Sequence, residues 1–388
     1  MSKRPATTAA VPQWSLPRGL IVLVSVAGLV VTVAGIKSVA GIVGPVFLAL
    51  MLTIAVHPAG RWLRGKGCPR WLAFLTVLSS VYAILIALFG SIVFSIARLA
   101  TILPEYSDKF DDLVGSFRNF LVDHGVSSDD VHKMLSNIDS SKIIGAVEDI
   151  LGSVASITSA LILVIVVALF MAVDAIGVSE RMNILARSRP DIASAFNNFA
   201  AGTRKYLIVT TVFGFIVAVL DSGALWALGI PLPILWGLLS FITNYIPNIG
   251  FIIGVIPPAL LGLLDGGVSK MILVIVVYSA INVLLQSVIQ PKFVGDAVGL
   301  STTLTFLSLI IWSWIIGPLG AILAVPLTLL TKGLLIDIDP ATRWADILLA
   351  DSVKTAEQVD SENVERRPPV NSASGSVSDT SIQRDTNP

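Results

Sequence analysis

PLPILWGLLSFITNYIPNIG, the stretch from Pro231 to Gly250 that continues as FIIGVIPPALLGLL, decides what kind of chain this is. Between Lys205 and Asp265 the only charge is Asp221, so the segment belongs in a bilayer. Yet Pro231, Pro233, Pro247, Pro257 and Pro258 fall inside it, with Gly237, Gly250 and Gly254. Proline removes a backbone donor and clashes with the preceding turn, so helices here are expected to break. Broken backbone at membrane depth is tolerated only where protein buries it or where it lines a wet cavity. Thr243, Asn244 and Tyr245 sit at the break, followed by Pro247, Asn248 and Gly250. Interruptions of this kind point to a transporter's substrate path. Taken alone, the same residues also fit a kinked structural hairpin.

The whole chain agrees with the membrane reading. Of 388 residues, 54% are hydrophobic and 13% charged, against roughly 25% charged in soluble domains. Mean hydropathy is +0.84. Net charge is zero, so nothing points to nucleic acid as a partner. A single cysteine, Cys68, and three scattered histidines give no metal-type spacing, and no cofactor is expected.

Working outward, eight crossings are expected. Gly19 to Ile36 is uncharged over roughly 18 residues, ~27 Å as a helix and enough to cross the hydrocarbon. Its apolar core exceeds that of a signal peptide, so it reads as a retained span after a disordered tail at 1–17. Ser38 to Val56 and Leu72 to Ala97 follow. The loop between them carries Arg61, Arg64, Lys66 and Arg70 with no acid. The positive-inside rule places that loop and the amino terminus in the cytoplasm, with Trp62 and Trp71 at the interface.

From 98 to 150 acids dominate, and two apolar stripes recur, Phe110 to Leu121 and Leu135 to Ile150. This is expected to be an extracytoplasmic helical insert, with a solvated acidic face and its apolar stripe packed on the membrane domain or on a neighbouring subunit. A metal-binding acidic patch is the other reading. Leu151 to Val173 returns to the cytoplasm, where a basic helical segment at 175–205 follows. Tyr206 to Leu228, a sixth crossing or re-entrant hairpin over 232–264, Met271 to Ile289 and Ser301 to Thr331 complete the set. The last is split by Gly317-Pro318 and Pro326. Both termini then lie in the cytoplasm, the second as a mostly disordered tail at 336–388.

No phosphate-binding loop, HExxH or GxSxG pattern occurs, so an enzyme is not expected. Asp221 is the deep ionisable residue, and such a group by default faces a cavity or a partner. It is the candidate coupling residue. The bland reading sets it near the outer interface, bonded to Ser222 or to backbone. Asn282, Gln286 and Gln290, at i, i+4 and i+8, share one helix face that either lines a pathway or joins helices. Pro291, Lys292 and Gly295 make a sharp exit after it. Lys292 either pairs with Asp296 or attracts an anionic solute.

Three blocks carry a family resemblance: NYIPNIGFIIGVIPPAL (Asn244 to Leu260), QSVIQPKFVGDAVGLS (Gln286 to Ser301) and WSWIIGPLGAILAVPL (Trp312 to Leu327). In order and spacing they resemble the AI-2E family, the autoinducer-2 exporter or permease family. The resemblance covers roughly Arg18 to Leu335. The chain departs where the family often has an aromatic, at Asn248, and a His-Pro pair, at Ser301-Thr302. The resemblance implies a bacterial inner-membrane transporter that is a homo-oligomer and moves small solutes. Family members are associated with autoinducer-2 export, hence quorum sensing, and some with sodium/proton exchange.

The expectation is therefore an all-α polytopic membrane protein acting as a secondary transporter that exports a small polar solute. Its substrate path would run along Asn244 to Gly250 and the facing Gln286 to Gly295. The alternatives are a sodium/proton antiporter and, of another class, a non-transporting scaffold acting through the acidic insert.

Overall fold

The computed structural model describes residues 17–125, 127, 145, 148–149, 151–247, 249–290, 300–339 and 342. All regular structure among them is helical. The expected amino-terminal tail, nearly all of the carboxyl-terminal tail beyond 339 and most of the second stripe of the insert lie outside the described residues.

Four long helices build the frame: α1 (Arg18–Ser38), α2 (Ala40–Gly65), α3 (Arg70–Ile102) and, after α4 (Ser107–Asp123), α5 (Val154–Asp174). The first apolar stripe of the insert coincides with α4, none of whose residues is buried. Helix α6 (Val178–Ser188) leads to α7 (Pro190–Ala227), which Pro190 opens in its first turn, where a missing N–H costs nothing. At 38 residues α7 rises about 57 Å, so the second half of the basic segment, from Pro190, and the fifth span are one uninterrupted helix, while its first half forms α6.

Two helical hairpins pack into this frame. In the first, the chain turns at Gly229 to Leu232 and returns along α7 as α8 (Pro233–Thr243). Leu232 is the described non-glycine residue with positive φ, 56°. Trp236 Nε1 closes the turn by donating to Pro231 O at 2.9 Å. After the tip at 244–249 comes α9 (Gly250–Asn282), which is kinked at Gly266 and Gly267. Its two halves fold against each other there. A Cβ on Gly254 would lie 3.3 Å from the Tyr278 hydroxyl, and one on Gly262 3.3 Å from Val274.

The expected break at Pro257-Pro258 does not occur, since both lie inside helix. Prolines in a membrane helix are tolerated where neighbours re-satisfy the freed carbonyls. The reversal belongs instead to the Gly pair, because Gly267 takes φ 72°, open to glycine at little cost.

The second hairpin corrects the reading of Ser301 to Thr331 as one split crossing. Helix α10 (Thr302–Ile316) ends at Gly317, φ 82°, and the chain comes back as α11 (Pro318–Ile322) and α12 (Ala324–Lys332). Thr328 Oγ1 accepts from Trp312 Nε1 at 3.1 Å and lies 2.8 Å from Ser308 Oγ. A straight helix would hold residues 308 and 328 about 30 Å apart. The fold-back is tight: a Cβ on Gly320 would overlap the Trp312 carbonyl.

Each hairpin anchors a core. Leu225, Ile230, Leu235, Trp236 and Val274 pack in the first, and Met51, Phe199, Ile315, Leu323 and Leu327 in the second. Gly44 lets the second hairpin touch α2, since a Cβ there would lie 3.0 Å from Ile316 and 3.2 Å from Leu319.

By length and composition alone, six helical stretches of the described residues suffice to cross a membrane, against the eight crossings expected: Gly19–Ser38, Ala40–Gly65, Trp71–Asp123, Val154–Asp174, Pro190–Ala227 and Gly250–Gln286, the last of which folds back at Gly266-Gly267. Helices α8 and α10 are shorter. At 11 residues α8 rises about 16 Å, half of the ~30 Å hydrocarbon thickness. In a Cys68→Ser background, Leu228→Cys and Val268→Cys should therefore react with a membrane-impermeant thiol reagent from the same side. Reaction from opposite sides would make 233–266 a simple crossing.

Candidate functional site

The tip of the first hairpin is held against α7 through polar groups. Asn244 donates from Nδ2 to Thr210 O at 3.1 Å and accepts at Oδ1 from Gln286 Nε2 at 2.8 Å. Gln286 also lies 2.8 Å from Asn282 Oδ1, and Asn282 Nδ2 donates to Tyr278 O at 2.9 Å. Tyr206 OH donates to Tyr245 O at 3.0 Å, and the Tyr245 hydroxyl sits 2.6 Å from Thr211 Oγ1. The backbone of the tip is met locally: Ile246 N–H donates to Thr243 O at 2.8 Å and Gly250 N–H to Ile246 O at 3.0 Å. Three separate segments, α7, α8 with its tip, and the end of α9, thus meet in one polar thread.

Asp221 lies one step deeper on α7, with 0% exposure. Its partner is not Ser222, as the bland reading had it, but Ser240, whose Oγ donates to Oδ2 at 2.6 Å. The other oxygen, Oδ1, is buried without a hydrogen bond, and so is the Tyr278 hydroxyl. Interhelical hydrogen bonds in membranes contribute about 0.6 kcal/mol on average. The Tyr278 hydroxyl and the Asn282 amide also lie close to the Asp221 carboxyl group.

Glycines set how closely these elements approach. A Cβ on Gly214 would come 2.8 Å from Asn244 Nδ2, and one on Gly237 2.8 Å from Ala218 O. The second would also overlap the Ser222 hydroxyl.

The structure gathers Asn244, Asn282 and Gln286 directly, with Tyr245 beside them, and places Asp221 next to the cluster. Pro247 and Gly250 shape the tip around them through backbone bonds, Pro247 O accepting from Ile249 N–H at 2.8 Å. Beyond Asn282 the backbone changes to a π-helix over Val283–Ile289, so the i, i+4, i+8 face does not run straight on to Gln290. Its i→i+5 bonds widen the turn, a feature common at functional sites. Gln290 is half-buried at its end. Asn248, Pro291, Lys292 and Gly295 lie outside the described residues.

Sequence reasoning missed Ser240, Tyr278, Thr210, Thr211 and Tyr206. Two had a signal: Ser240 stands four residues before Asn244 and Tyr278 four before Asn282, each extending a polar face by one turn. Among the described residues no three His, Cys, Asp or Glu side chains gather as a metal site would require.

This architecture defines a polytopic membrane protein whose interrupted helices carry buried polar groups. The chain belongs to a known family of such proteins: the family described as AI-2E family transporter matches residues 21–338. Among similar proteins, "Putative transport protein YhhT" of Escherichia coli (strain K12) is 29% identical over 315 residues, covering 81% of this chain and 90% of that one. AI-2 transport protein TqsA of the same strain is 28% identical over 317 residues, covering 81% and 91%. A more distant relative, the sodium-lithium/proton antiporter of Halobacillus andaensis, is 24% identical over 316 residues, covering 72% and 85%.

Two measurements check the thread. A double-mutant cycle on Asn244→Leu and Gln286→Leu should give a coupling of about 0.6 kcal/mol and at most ~1.7 in thermal or denaturant unfolding. No coupling would mean that the two amides do not meet. Gly237→Val should lower the unfolding midpoint by the equivalent of about 1–3 kcal/mol, because α8 must move off α7. An unchanged midpoint would contradict that packing.

Proposed function

We propose that this protein is a secondary transporter of the bacterial inner membrane that exports a small polar solute, with the hairpin tip Asn244 to Gly250 as part of its gate or site. The observation that carries the reading is the thread Asn244–Gln286–Asn282, placed beside a buried carboxylate inside helices long enough to cross a bilayer. Amides and hydroxyls at that depth offer donors and acceptors suited to a hydroxylated or carbonyl-bearing solute. An autoinducer-2-like cargo draws its support from the likeness to TqsA. Gln290 and the 291–295 exit would face the tip as the second broken element. The family resemblance also supports a homo-oligomeric assembly.

A specific observation favours a second reading. Asp221 Oδ1 and the Tyr278 hydroxyl lie near one another, both buried and outside the hydrogen bonds of the thread, a polar pair suited to holding a cation or proton. With the likeness to a sodium-lithium/proton antiporter, this supports sodium/proton exchange. In either reading Asp221 is the coupling residue. The scaffold reading gives the polar thread no task and rests on the acidic insert alone.

Flux of solute and of ions in proteoliposomes containing the pure protein separates these readings. Export predicts that Asn244→Ala and Gln290→Ala fold but lose at least tenfold in solute flux. Antiport predicts that added sodium dissipates a pH gradient and that Asp221→Asn abolishes this. If both activities were absent from the pure protein, and cellular function survived these changes but not removal of 107–141, the transporter reading would fall.

A further inference from the structure

Away from the polar thread, α2, α3 and α5 enclose an apolar groove that the transport reading does not use. One end of it is sealed. Tyr82 OH on α3 donates to Ile165 O on α5 at 2.6 Å, and Ala49, Val164 and Ala168 are packed shut beside it. From that floor the three helices diverge into an open cleft with a volume of about 100 Å³. Its walls are mainly aliphatic and aromatic, with Leu52, Val56, Phe74, Val77, Leu78 and Ala172 along them. Small side chains leave room between the walls at Gly60, Ala73 and Ala175.

The mouth has a different character. His57 and Arg64 line it, and Arg64 keeps its guanidinium near the rim, with Nε 3.3 Å from Gly60 O. In sequence, the segment 57–70 that supplies these two residues carries Arg61, Arg64, Lys66 and Arg70 and no acid. The nearest acid in sequence to the α5 side, Asp174, is 3.9 Å from Arg181, with which it pairs. Trp62 and Trp71 are 61% and 64% exposed, and Lys66 lies 3.8 Å from the Trp62 ring centroid. Exposed tryptophans beside cations mark the headgroup level of a membrane.

We propose that this groove binds an anionic phospholipid, one acyl chain lying between α2, α3 and α5 and the phosphate at Arg64. A mainly aliphatic cleft closed at one end suits a hydrocarbon chain rather than a polar cargo, and the cation at its mouth selects a negative headgroup. A second copy of the chain docked symmetrically on this face would set one cationic rim against another. The inference does not rest on the direction or identity of the transported solute.

The test is native mass spectrometry of the full chain, purified from a mixture of equal parts phosphatidylglycerol and phosphatidylcholine. The wild-type protein should retain phosphatidylglycerol in preference. Arg64→Gln should cut that preference about fivefold, the worth of one cation at an anionic surface, while leaving total lipid retained. Ala172→Trp, which fills the groove, should lose both lipids, and Phe170→Ala, on an exposed position of the same helix, should lose neither. Unfolding midpoints in lipid-free detergent identify any variant that fails to fold, and Val77→Trp then replaces Ala172→Trp. Equal retention of the two lipids by the wild type, undiminished retention in the filled-groove variant, or a protein dimer that Ala172→Trp dissociates would each overturn the proposal.

Discussion

A turn of polypeptide cannot sit in a bilayer unless its polar groups are met, and that constraint organises this molecule. The tip at 244–249 is admissible at depth only because α7 presents Tyr206, Thr210 and Thr211 to it and the π-helix after α9 presents Gln286. The glycines at 214 and 237 follow from the same need, since the hairpin must come within hydrogen-bonding reach of a helix that would otherwise hold it off. The second hairpin obeys it too, with Thr328 joined to Trp312 and Ser308 across its arms.

The energetics favour adaptability at these contacts. Individual interhelical hydrogen bonds contribute well under 1–2 kcal/mol in lipid, because the competing states also find partners. A thread of such bonds can be exchanged for bonds to a solute at little net cost. The carboxylate is the exception, because its burial is costly and one of its oxygens lies outside the hydrogen bonds of the thread.

Much of this was readable from residues. The burial of Asp221, the tip at Asn244 and the pairing of Asn282 with Gln286 follow from an uncharged run, a proline-marked break and i, i+4 spacing. The two reversals did not. Proline 257 and proline 258 looked like the break, whereas Gly266-Gly267 after Asp265 makes it, a turn signal of D-G and G-G type outweighed by the more conspicuous prolines. Gly317-Pro318 was legible as an interruption, but whether a chain kinks or doubles back depends on contacts such as Ser308 with Thr328, twenty residues apart. Ser240 as the partner of Asp221 is likewise a matter of which helices lie side by side. Family resemblance supplied the class, and the match over residues 21–338 agrees with it.

The account's core is that solvent reaches the buried amides of the hairpin tip during the protein's working cycle. Asn244→Cys, in a Cys68→Ser background in sealed vesicles, reports this through reaction with a small hydrophilic thiol reagent. The account predicts modification of the folded protein, slowed when cargo occupies the path. A thiol that stays unreactive from both sides, yet reacts once the protein is unfolded, would contradict it.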